Sequence, residues 1–94
     1  MLDKMKQFME MKRKMDDIKK ELGALVLASE DKLVKIEITG AQEIKAVTVK
    51  VELSATDKAA LEASLTDTMN RAIRESHKAA AHKMSALGSI PGLT

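Results

Sequence analysis

The sequence has no cysteine, no tryptophan and no tyrosine, and only one phenylalanine and one proline in 94 residues. The missing cysteine excludes disulfides, zinc ribbons, iron–sulfur clusters and thiol nucleophiles, and it fits a reducing cytoplasm. Glycine is scarce and scattered, at positions 23, 40, 88 and 92. No phosphate-cradling loop, dinucleotide fingerprint or nucleophile elbow can be assembled from glycines so far apart. No apolar run approaches the 18 residues that would span a bilayer, and MLDKMKQFMEMKRK at the start lacks the uninterrupted apolar segment of a signal peptide. A soluble, unprocessed chain is expected. His77 and His82 are the only imidazoles, and a spacing of five sets them on different helix faces, unlike the i, i+4 pair that binds zinc. Asp16 and Asp17 are adjacent and diverge by roughly 100° on a helix, so they read as a solvated face and not as an acid–base pair. With no catalytic constellation, metal site or cofactor site, the reading is a binding protein without enzymatic activity or small-molecule substrate.

The chain is 45% apolar and 32% charged, which is globular, with no Pro/Gly/Ser-rich linker to divide it, so one domain is expected over residues 1–94. The apolar share leans on thirteen Ala and seven Met, leaving ten Leu, six Ile and five Val for a core. A chain of this length buries only roughly 60–65% of its unfolded surface. A second copy is the natural remedy, and a homodimer is expected. The net charge is +2, unevenly spread: residues 1–22 carry seven positives and five negatives, residues 23–70 five and eight, and residues 71–94 four and one. Basic ends around an acidic middle point to an anionic partner.

From Phe8, the residues Met11, Met15, Ile18, Leu22 and Leu25 step by three and four, the spacing of a helical seam. The first helix is placed at 2–22, ended by Gly23 as a left-handed cap. Strands follow over about 24–53. Ser29 to Lys32 is turn chemistry, Val34, Ile36 and Ile38 alternate with Lys35 and Glu37, and Val47, Val49, Val51 and Leu53 repeat the alternation beyond a turn at Gly40. Ile36 and Val49 are expected to face the helices from opposite strands, completing a core with Met11, Met15, Ile18 and Leu22. Ser54 to Asp57 supplies helix-start residues, and 56–87 reads as one long helix with Leu61, Leu65, Met69, Ala72, Ile73, Ser76, Ala80, Met84 and Leu87 along one side. Gly88 and Pro91 stop it, leaving a short tail at 88–94. The fold class is α+β: helix, three-stranded antiparallel meander, long helix, with helices that overhang the sheet as arms.

The candidate contacts for an anion are Lys12, Arg13 and Lys14, an unbroken basic triplet, with Arg71, Arg74, Lys78 and Lys83, offset after Arg71 only by Glu75. Such a stripe meets phosphates, without aromatic residues in number to stack on bases.

The segments MKQFMEMKRKMDDIKKEL, VKIEITGAQEIKAVTV, and NRAIRES followed by HKMSALGSIPGL together resemble the YbaB/EbfC family of bacterial nucleoid-associated DNA-binding proteins over essentially the whole chain. The most specific parts of the likeness are the strand leading into Gly40-Ala41 and the ending Lys83-Met84, Gly88, Pro91-Gly92. The resemblance implies an intertwined dimer whose helices project as tweezer-like arms and bind double-stranded DNA with little sequence preference, in DNA organisation and gene regulation within the cytoplasm, at the nucleoid. A rival from another class is a prefoldin-like holding chaperone or protein adaptor, because helix, hairpin and Met-rich helix also describe that design.

Overall fold

The computed structural model describes residues 2–85. Helix α1 covers Leu2–Ala24, strands β1, β2 and β3 cover Val26–Glu30, Val34–Thr39 and Ile44–Val49, a single 3-10 turn covers Leu53–Ala55, and helix α2 covers Lys58–Ser85. The strands form one antiparallel meander in the order β1-β2-β3. This is the expected α+β arrangement, and the principal extents of 67 × 21 × 15 Å show how far the helices overhang the sheet.

Several boundaries differ from the sequence reading, each for a local reason. Gly23 does not cap α1. The helix runs one residue past it, and the Leu25 N–H still donates to the Glu21 carbonyl at 3.0 Å. The first hairpin turns at residues 31–33, overlapping the expected turn at 29–32 but later, because β1 runs through Ser29 and Glu30 and the Asp31 carboxylate accepts the N–H groups of Leu33 (2.8 Å) and Val34 (2.9 Å) and closes the turn itself. At the second turn Thr39 Oγ1 accepts the N–H groups of Ala41 and Glu43, each at 3.2 Å, and Gln42 takes the left-handed conformation at φ 65°. Gly40 is needed for a close approach: a Cβ there would sit 2.8 Å from Leu22 Cδ2 and 3.1 Å from the Leu22 carbonyl oxygen. Strand β3 stops at Val49, although the alternation continues to Leu53. Lys50 still donates to the Leu33 carbonyl at 2.8 Å, and beyond that point the neighbouring chain has turned away at Asp31 and offers no partner. Helix α2 begins at Lys58, after Asp57, whose carboxylate accepts the Ala60 N–H at 3.3 Å. The expected extension to Leu87, the stop at Gly88 and Pro91, and the tail at 88–94 lie outside the described residues.

Val34, Ile36 and Ile38 point to one face of β2 and are fully buried. Helix α2 lies across that face over β1 and β2. The residues it buries are Ser64, Thr68, Ala72 and Ser76, a row of small side chains at a spacing of four. Ala72 and Ser76 belong to the stripe expected from the sequence, whereas Leu61, Leu65, Met69 and Ile73 of that stripe flank the buried row, because small residues let the helix come close to the sheet while their hydroxyls find partners. Ser64 donates to the Asp31 carboxylate, Thr68 reaches the same oxygen at 3.4 Å, and Ser76 donates to the Thr39 carbonyl at 2.8 Å. The contact is thus pinned by hydroxyls at both ends with Ala72 between, packed with Ile36, Ile38, Leu27, Leu65 and Met69.

The cover is lopsided. Ile44, Val47 and Val49 of β3 pair with Ile38, Ile36 and Val34 and so lie on the same sheet face, yet all three are exposed. Val49, expected in the core beside Ile36, is 42% exposed because α2 sits over β1 and β2 and leaves β3 bare. One extra residue, Lys45, bulges β3 between the pairs Glu37–Ala46 and Ile38–Ile44.

Candidate nucleic-acid interface

The two helices carry all seven candidate cations, and their helical phase decides which can act together. On α2, Arg71, Arg74 and Lys78 are spaced by three and four, so their directions fall within roughly 60° of one another along roughly 10 Å of helix. All three are exposed. Because the Arg71 guanidinium donates to the Glu30 carbonyl at 3.2 Å, this stripe runs along the β1 flank of the helix. Lys78 lies 3.4 Å from Glu75, an exposed pair of adjacent turns that leaves the ammonium open to solvent. Arg74, between them, makes no ion pair among the described residues.

Lys83 stands apart from this stripe. It projects to the opposite side of α2 and pairs with Glu21 of α1 at 3.1 Å, tying the two helices together. It therefore reads as a strap between the arms more than as an open phosphate contact.

On α1 the triplet Lys12, Arg13 and Lys14 is exposed and free of ion pairs among the described residues. Successive residues diverge by roughly 100°, so the three fan around the helix and cannot meet one flat surface. A groove that surrounds the helix could engage all three, whereas a flat partner could take only one or two.

The seam residues divide in two. Leu22 is buried beneath Gly40, and Ile18, Met15 and Met11 are half-buried. Further out the cover ends: Leu2, Met5, Phe8 and Met9 are exposed. The seam thus fixes only the C-terminal part of α1 to α2 and β2, and the N-terminal part projects as an arm.

Two features of the sheet were not found in the sequence. Asp31 holds four hydrogen-bond donors, and the Ser64 hydroxyl, the Val34 and Leu33 N–H groups and Thr68 bring its pKa down to about 2. Glu30 is also held below its ordinary value, by the hydrogen bond and charge of Lys50 at 3.0 Å. The only signal for the Asp31 network was the spacing Ser64, Thr68, Ala72, Ser76, which a search for large apolar residues passes over. Among the described residues no group of three His, Asp or Glu side chains converges as a metal site, and no helix is long and apolar enough to cross a membrane.

A family model described as the YbaB/EbfC DNA-binding family matches residues 1–90. The chain belongs to the YbaB/EbfC DNA-binding family. The match takes in α1, the meander and α2 together, so every candidate cation described above lies on the family's own framework. A search of curated proteins found no match. The family is one of DNA-binding proteins, so DNA is the partner against which the basic stripe and the fanned triplet are to be read.

Proposed function

We propose that the protein is a homodimer that organises double-stranded DNA at the nucleoid, with an effect on gene expression, and that it grips phosphates with little preference for base sequence. The observation that carries this reading is the exposed, aligned stripe of Arg71, Arg74 and Lys78 on a helix that overhangs the sheet of a member of a DNA-binding family. Lys12, Arg13 and Lys14 supply a second set on the other arm. Cations alone fix position on the backbone and carry no sequence information.

The dimer is supported by the bare half of the sheet. Ile44, Val47 and Val49 form an exposed apolar strip on the face where a core belongs. Ile73 extends it. Arg71 marks the β1 flank of α2, and Ile73 lies roughly 200° further round, on the β3 flank, where it is exposed as well. An apolar strip of this kind, flanked by charges, marks an interface.

A gel shift with unrelated duplexes across salt concentrations tests the proposal. Contact with roughly four to six phosphates gives a log–log salt slope of about −4 to −5, little changed when the bases are scrambled. Salt-independent or undetectable duplex binding would sink it. The exposed Met5 and Met9 favour a second reading, the holding chaperone. Under that reading Met5→Gln with Met9→Gln abolishes suppression of client aggregation, whereas a DNA clamp keeps its salt slope in the same variant.

A further inference from the structure

The chain's single aromatic residue is not in its core. Phe8 stands 66% exposed on the part of α1 that none of the described residues covers. A small domain short of large apolar side chains leaves its largest one in solvent, four residues after Lys4 and four before Lys12. That spacing sets all three on one helix face within roughly 40° of a line, with the phenyl ring midway between cations whose Cα atoms are roughly 12 Å apart. Met5 and Met9 broaden the apolar tip on one side of the ring, and both are exposed. Between Leu2 and Lys14 there are five cations, Lys4, Lys6, Lys12, Arg13 and Lys14, against Asp3 and Glu10.

An apolar projection bracketed by cations on the same face fits a DNA duplex better than an apolar protein client, since a client surface would have to desolvate Lys4 and Lys12 to reach the ring. A helix about 10–12 Å across does not enter an undeformed minor groove of about 6 Å. Side chains that wedge between base steps open that groove and kink the duplex, at a cost of a few kcal/mol per unstacked step that added contacts offset. We propose that the N-terminal half of α1 deforms DNA: Phe8 wedges at a base step, and Lys4 and Lys12 hold phosphates on either side of it. This rests on the DNA-binding reading above and adds bending to it.

The absence of tryptophan and tyrosine makes the test clean. Phe8→Trp introduces the only indole in the chain, and its emission should be quenched when a duplex of ordinary B-form sequence is added. In parallel, a duplex labelled at both ends reports bending by energy transfer, with the parent and Phe8→Ala compared at saturation. Phe8→Ala is expected to bind roughly five- to tenfold more weakly, through the lost stacking. It should leave the duplex as straight as free DNA, keep the parent's log–log salt slope because no phosphate contact is removed, and melt like the parent because the ring is exposed. If the parent binds with a steep salt slope but neither bends DNA nor quenches the indole, the wedge is wrong and phosphate binding stands. Undetectable binding by the parent overturns both. Unchanged bending by Phe8→Ala, with loss of aggregation suppression, assigns the ring to a protein client and overturns the wedge.

Discussion

At the scale of single residues, Asp31 and Gly40 hold the two ends of the sheet to its helices. Asp31 receives the Ser64 hydroxyl from α2 and closes its own turn through Leu33 and Val34, so one carboxylate joins a hairpin to a helix 33 residues away. Its pKa in the folded chain is about 2, below the ordinary carboxylate value. A depressed folded pKa means that the stabilisation is complete above the unfolded value near 4 and is lost as pH falls through 2. The melting temperature of the parent should therefore drop steeply between pH 4 and pH 2. Asp31→Asn should melt lower at neutral pH and show a shallower drop in that window, and thermal melts across the range check both points. An equally steep drop in the variant would mean that other carboxylates govern acid unfolding. Gly40 tests the opposite end. A methyl group placed 2.8 Å from Leu22 Cδ2 and 3.1 Å from the Leu22 carbonyl oxygen forces α1 away from the turn, so Gly40→Ala should cost about 1–3 kcal/mol.

At the scale of elements, the order and type of helices and strands were legible because periodicities of two and 3.6 are strong over six or more residues. The strand Val34, Ile36, Ile38 alternates without error, and all three side chains are buried. What periodicity could not show is how far one element covers another. Val49 has the same alternation as Ile36 and the same sheet face, yet it is exposed because the helix lies off-centre. The stripe legible on α2 includes the buried Ala72 and Ser76 but not the buried Ser64 and Thr68, for a related reason: the hydroxyl partners of Ser64, Thr68 and Ser76 lie in distant turns that no local pattern reveals. The basic residues were legible by identity, but their grouping needed the fold. Arg71, Arg74 and Lys78 share a stripe, while Lys83 turns to Glu21. Arg71→Glu with Arg74→Glu should weaken binding on every duplex sequence and flatten the salt slope, with little change in the melting curve, because both side chains are exposed. Lys83→Gln should change DNA affinity less than either arginine does. The two sets of gel shifts, run side by side, rank the contacts. An equal loss in Lys83→Gln would place the phosphate site at the junction of the helices instead of along the β1 flank.

At the scale of the whole molecule, the question is what covers the other half of the sheet. Each chain has basic ends and an acidic middle, so a pair of chains brings together ten net positive charges on its helical ends and six net negative in its centre. Joining the acidic middles would be unfavourable if charge decided the matter, and the apolar strip of Ile44, Val47 and Val49 is the term that outweighs it. Fully burying an exposed Val or Ile side chain is worth roughly 1.5–3 kcal/mol, and Ile44, Val47 and Val49 are 41%, 48% and 42% exposed, so the six residues of two copies supply on the order of 4–8 kcal/mol before the costs of association. A micromolar dimer needs roughly 8 kcal/mol net, so contacts beyond this strip must add to it. Val47→Asn with Val49→Asn removes much of this term without altering any charge, and the core of Val34, Ile36, Ile38 and Ala72 within each chain is left intact. The parent should sediment as a dimer and melt at a temperature that rises with concentration. The double variant should sediment as a folded monomer whose melting temperature is lower and independent of concentration. On DNA it should retain binding with a salt slope about half the parent's, since one chain reaches half the phosphates. If the variant remains a dimer with the parent's slope, the two copies meet elsewhere than on β3. If the parent itself is a folded monomer, the paired-arm grip is excluded while the single stripe on α2 remains.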